Sequence, residues 1–162
     1  MTLDESTATN QSGRMPRSMA ISATIDVDAA PREVFDYIAR PVNHPELNGD
    51  GTVRVLRRGP DVLTSVGDRF NVSMKAGLPY RMTNTVVELE PGRTIAWHNW
   101  GRDIWRWEVQ PLPGGGSRVT ETYDMTHSVL TWLLERFGYP EAQRENLERS
   151  LDNLARRFAR DE

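Results

Sequence analysis

The stretch "DIWRWEVQPLPGGGSRVTETYDM", residues 103–125, decides the fold. Apolar and polar side chains alternate on both sides of the connection "PLPGGG", which is the pattern of two strands joined as a hairpin. With Val109 opposite Val119, Trp107 faces Glu121 and Trp105 faces Tyr123. One face then carries Trp105, Trp107, Val109, Val119, Glu121, Tyr123 and Met125. The other carries Arg106, Glu108, Gln110, Arg118, Thr120 and Thr122, all polar as a solvated face requires. A slip of one residue would mix the two sets, so this register is favoured. Glu121 is the misfit, a single carboxyl group on an apolar and aromatic face.

The preceding strand, "TIAWHN", is less determined. A two-residue turn at Gly101-Arg102 would place His98 beside Trp105 on the inner face. A three-residue loop or a bulge puts Ile95 and Trp97 inside instead, and this is the arrangement we expect. By the same alternation Phe70, Val72 and Met74 point inward, as do Val87 and Leu89. The register of residues 80–85 stays open.

Working outward, period-two segments run from about 52 to 127: "TVRVLRR", "DRFNVSMK", "YRMTNTVVELE", "TIAWHN", "DIWRWEVQ" and "SRVTETYDM". Short connections between six successive strands imply an antiparallel meander. Before them, "AISATIDVDA" reads as a strand. "APREVFDYIARP" reads as a short helix with Pro31 in its first turn and Val34, Phe35 and Ile38 on one face. "NHPELN" reads as a second short helix that Asn43 or His44 caps. After the meander, "LTWLLERF" suits a short helix. "PEAQRENLERSLDNLARRFAR" suits a long one, because Leu147, Leu151, Leu154 and Phe158 recur at helical spacing. The expected class is α+β: a sheet with one apolar face covered by the last helix, with space for a cavity where a curved sheet does not close.

Composition narrows the function. A chain of 162 residues suits one domain, here expected over residues 19–162. Residues 1–18 are rich in Ser, Thr, Asn and Gln without an apolar core, which predicts a disordered tail and a cytoplasmic protein. No apolar run is long enough to span a bilayer, so stable membrane insertion is not expected. The net charge is −3, and no basic block is present to neutralise a run of phosphates, so nucleic acid is not an expected partner. There are no cysteines, and the three histidines (His44, His98, His127) lack ligand spacing, so neither a metal nor a cofactor is expected. The abundance of arginine over lysine reads as compositional bias.

"IDVDAAPREVFDYIARPVNHPEL", "VGDRF", "VVELEPGRTIAW", "GGGSRVTETYD" and "NLERSLDNLARRF" resemble the SRPBCC superfamily (START-like, helix-grip proteins). The branch they resemble is the polyketide cyclase/dehydrase and lipid-transport family. The resemblance covers roughly residues 19–160. It implies a helix-grip fold, a seven-stranded curved antiparallel sheet wrapped around a long C-terminal helix, with two short helices after the first strand. It also implies a cavity for an apolar ligand, and no invariant catalytic residues come with it.

A hydrophobic small molecule, lipid-like or aromatic and polyketide-like, is therefore the expected partner. Phe70, Val72, Met74, Val87, Trp97, Trp105 and Trp107 would line the cavity from the sheet, with Leu147 and Leu151 from the helix. The same tryptophans also suit a filled core. Glu121 with Tyr123 would orient the ligand. For Glu121 the more economical reading is pairing, with Arg81 or an arginine of the long helix, or a position near the wet rim. The alternative function is a polyketide cyclase or dehydratase in which Glu121, Tyr123 or His98 moves protons. His44 is expected as a cap or a surface residue. Some superfamily members are co-chaperones, and the apolar segment 129–137 would then be a contact surface rather than a lid or core. The sequence leaves the oligomeric state open.

Overall fold

The structure, a computed structural model, describes residues 19–129 and 139–159. Seven strands form one antiparallel sheet: β1 (Ala20–Val27), β2 (Val53–Arg58), β3 (Arg69–Ala76), β4 (Leu78–Glu90), β5 (Thr94–His98), β6 (Ile104–Pro111) and β7 (Ser117–Asp124). Their order is β1-β7-β6-β5-β4-β3-β2, the expected meander with the first strand returned to pair with the last. The sheet curls as a half-barrel around the long helix α3 (Tyr139–Phe158), the α+β helix-grip arrangement. Helices α1 (Pro31–Ile38) and α2 (His44–Leu47) follow β1, separated by a 3-10 turn at Pro41–Asn43.

Local chemistry explains these boundaries. Pro31 opens α1, where its missing N–H has no partner to lose. Val34, Phe35 and Ile38 turn one face of that helix into the core. The hairpin between β6 and β7 has the expected register: Trp105↔Tyr123, Trp107↔Glu121, Val109↔Val119. Its loop needs glycine, since Gly116 has φ 79° and an added Cβ would lie 2.6 Å from the Val27 carbonyl oxygen. The outer face is polar as expected, with Arg106 donating to Glu88 at 2.9 Å and Arg118 to Asp26 at 2.8 Å.

Alternation fails in β4. Val86, 1% exposed, points into the core, and Val87, 39% exposed, points out, so the inward placement expected of Val87 is wrong. The cause is a bulge in β4. Val86 pairs with Trp97 but Glu88 pairs with Ala96, so Val87 is the extra residue that resets the alternation. Upstream of it the register that the sequence left open resolves as Phe70↔Asn84, Val72↔Met82 and Met74↔Tyr80.

The core continues onto α3. Leu147, Leu151 and Leu154 are buried, Leu147 in one cluster with Ile21, Tyr123 and Met125, and the other two in the main cluster with Trp97 and Trp107. The helix lies close to the backbone at Gly49, where a Cβ would sit 2.1 Å from the Asn146 carbonyl oxygen and 2.8 Å from the Ser150 nitrogen.

Candidate functional site

A cavity of about 380 Å³ lies between the sheet and α3, within the range of small-molecule sites. Phe70, Val72, Met74, Trp97, Trp105 and Trp107 line it from the inner face. Trp97 reaches this face because β5 and β6 pair as Trp97↔Trp105 across a five-residue loop, 99–103. The preferred of the two arrangements is therefore the one adopted, although the loop is longer than either length considered. Leu147 and Leu151 do not line the cavity and pack in the core behind it.

Glu121 lies on the cavity wall at 3% exposure. Neither Arg81, which is exposed, nor any helix arginine pairs with it among the described residues, so the expected ion pair is not what holds it. Burial pushes its carboxyl well above the usual carboxylate range, with the Ser150 hydroxyl pulling the other way. Its Oε2 is buried without a hydrogen-bond partner. Tyr123 is buried beneath Trp105, ring centroids 4.3 Å apart, and its hydroxyl donates to Asp103 Oδ2 at 2.8 Å.

His98 plays no part in this wall. It is half-buried, its Nδ1 contacts the Asn99 carbonyl oxygen at 2.7 Å, and it faces away because Trp97 faces in. The histidine that reaches the cavity is His44, 7% exposed, so its expected role as a cap or surface residue is wrong. Helix α2 lays the imidazole on Trp97 (centroids 4.8 Å, planes 18° apart), with Phe70 edge-on at 5.2 Å. Its Nε2 lies 2.9 Å from the Ile38 carbonyl oxygen, an acceptor, so Nε2 carries the hydrogen and Nδ1 the lone pair. Burial lowers its pKa to about 4, against the Ile38 hydrogen bond, and keeps the ring neutral at neutral pH.

Several polar residues at the site had no place in the sequence reading. Asp103 comes from the 99–103 loop, held there by Asn99, whose side chain donates to Asp103 Oδ2 at 3.3 Å and accepts from the Gly101 N–H at 2.8 Å. Arg102 takes φ 68° to close that loop, a conformation uncommon outside glycine. Asn84 enters from β4, and Gln143, Asn146 and Ser150 enter from α3. The last three are spaced i, i+3, i+7, one face of a helix, a periodicity that strand alternation does not carry. Asn146 donates to Gln143 at 3.1 Å, leaving Asn146 Oδ1 buried and unpartnered. Trp100, Tyr80 and Val129 are exposed and line the same space, as does Asp50. Val129 is the one described residue of segment 129–137, so the lid, core and contact-surface readings of that segment otherwise lie outside the described residues.

Among the described residues no group of three or more His, Asp or Glu is arranged to hold a metal, and no helix is long and apolar enough to cross a membrane.

Comparisons with known proteins agree with this architecture. A protein of Mycobacterium tuberculosis (strain ATCC 25618 / H37Rv), Uncharacterized protein Rv0088, is 35% identical over 145 residues, which are 86% of this chain and 64% of the relative. The chain thus spans just under two thirds of that relative's length. The crystal structure of TTHA0849 from Thermus thermophilus superposes with a TM-score of 0.63 at 21% identity, covering 86% of this chain and 96% of that one. The Aha1 dimer from Colwellia psychrerythraea gives 0.60 at 12% identity, covering 86% and 95%. At such identities these structures show a shared fold. The family described as polyketide cyclase / dehydrase and lipid transport matches residues 18–159. The chain belongs to that family, within the SRPBCC superfamily.

Proposed function

We propose that this protein binds a hydrophobic small molecule in the cavity between the sheet and α3. The observation that carries this reading is the cavity itself: about 380 Å³ remain open against Trp97, Trp105 and Trp107. A filled core would close such a space, since packing voids lined by large side chains forfeit contact energy. The tryptophan faces supply apolar area, and Glu121, Asp103 and Asn146 supply the few polar contacts that orient a ligand. Native mass spectrometry of the purified protein, followed by denaturing extraction, tests it. An apolar compound bound one to one, and lost from the cavity-filling variant Val72→Phe, supports the reading. An apo mass, with no thermal shift from fatty acids, alcohols, aryl amines or aromatic polyketides, overturns it in favour of a protein partner.

A second reading is catalysis, as a polyketide cyclase or dehydratase. What favours it is an acid and a base lining one cavity: Glu121, whose carboxyl burial pushes towards its protonated form, and the neutral His44 with a lone pair on Nδ1. Such a pair delivers and removes protons at a carbonyl compound without a metal. His44 takes the part considered for His98. Turnover of a bound compound that His44→Gln and Glu121→Gln abolish, with binding retained, would favour the enzyme over the carrier.

A further inference from the structure

We propose that the ligand of this cavity is an organic amine, an apolar body carrying a basic nitrogen, rather than a carboxylic acid or a phosphate ester. The proposal rests on the cavity being a ligand site and names the chemistry it selects.

Three buried oxygens on three separate elements lack a hydrogen-bond partner: Asp103 Oδ1 on the 99–103 loop, Glu121 Oε2 on β7 and Asn146 Oδ1 on α3. Their residues are 9%, 3% and 6% exposed, and all three line the cavity. Buried polar atoms are nearly always partnered in folded proteins, so three in one cavity describe what the missing molecule supplies. The Asp103 and Asn146 oxygens ask for hydrogen-bond donors, and the Glu121 carboxyl, which burial pushes towards its protonated form, has a proton to offer a base. The electrostatics agree: Asp50 and Asp103 line the cavity with the Glu121 carboxyl, and among the described residues no Lys or Arg does.

An anionic headgroup would enter this space opposite carboxyl groups and without a partner. An ammonium group has three donors and no acceptor. It also gains from the faces of Trp97, Trp105 and Trp107, whose rings attract cations. A neutral amine entering the cavity takes the Glu121 proton, so that an ammonium and a carboxylate form together and neither is buried alone.

The test is calorimetric titration of the full chain at pH 7 with three matched compounds: 4-phenylbutylamine, 4-phenylbutanol and 4-phenylbutyrate. The amine is expected to bind about tenfold or more tighter than the alcohol, and the acid to bind more weakly than the alcohol, as one charge-assisted hydrogen bond allows. Glu121→Gln and Asp103→Asn should each remove most of the amine's advantage. Retained affinity for the alcohol in those variants shows that they are folded. A carboxylate that binds as well as the amine, or an amine preference that survives both substitutions, overturns the proposal while leaving the cavity reading intact. Failure of all three compounds to bind overturns the cavity reading and this inference with it.

Discussion

The imidazole of His44 lies flat on the indole of Trp97, centroids 4.8 Å apart, although the two are far apart in the chain. This stack joins α2 to the sheet and lines the cavity with two aromatic rings. It also buries a titratable group in its neutral form, which has a consequence for acid stability.

In the unfolded chain His44 takes up a proton near its ordinary value of 6.5, whereas in the folded protein it does so only near 4. Between these values the unfolded state binds more protons, so stability falls as pH drops from about 6.5 to about 4, with no further loss below. The full window is worth on the order of 3 kcal/mol. Chemical denaturation of the wild type and His44→Phe across this range checks it. The wild type should show the extra acid-side slope, and the Phe variant should lose it.

Glu121 acts in the opposite sense. Its folded pKa is raised, so its contribution is present at low pH and lost as pH rises above the unfolded value of 4.5. Replacing it with Gln removes the penalty for keeping the acid protonated. Glu121→Gln should therefore raise Tm at pH 7–8, with the gain shrinking towards pH 4.5. Scanning calorimetry at several pH values measures this, and a variant less stable than wild type at pH 8 would contradict it.

The helix is held against the backbone of residue 49, where no side chain fits. Gly49→Ala would force its Cβ against the Asn146 carbonyl oxygen and the Ser150 nitrogen, both main-chain atoms with little room to yield. The expected destabilisation is about 1–3 kcal/mol or more by urea unfolding. Because Asn146 and Ser150 line the cavity, ligand affinity should fall in the same variant.

Tyr123→Phe removes the donor that serves Asp103 Oδ2 at 2.8 Å. The loss of this buried bond should cost about 1–3 kcal/mol. An equilibrium denaturation curve of the variant checks the magnitude. A loss well under 1 kcal/mol would mean that the phenol contributes packing alone.

Which parts of this architecture were legible follows from where each signal lives. The β6–β7 hairpin could be read to the residue, because one all-polar face left a single register for Trp105, Trp107 and Glu121. Glu121 announced itself as a lone carboxyl group on that face, although its freedom from an arginine could not be seen. The outward turn of Val87 is not legible, because a bulge leaves no mark in a run such as "VVELE". The burial of His44 is not legible either, because it comes from packing α2 over Trp97 and Phe70, contacts distant in sequence. Asp103 sits in a turn, where polar residues are ordinary, and its burial and the Tyr123 hydrogen bond that distinguish it are tertiary contacts. The Gln143, Asn146 and Ser150 stripe was readable from helical spacing, and its link to the cavity was not.

The central claim is that the space against the three inner tryptophans is a ligand site, and their indole N–H resonances report on it directly. A ¹H–¹⁵N spectrum recorded during titration with 4-phenylbutanol should show saturable shifts of Trp97, Trp105 and Trp107, lost together in Val72→Phe. Indole resonances that stay fixed for those three, or shifts confined to the exposed Trp100, would contradict it.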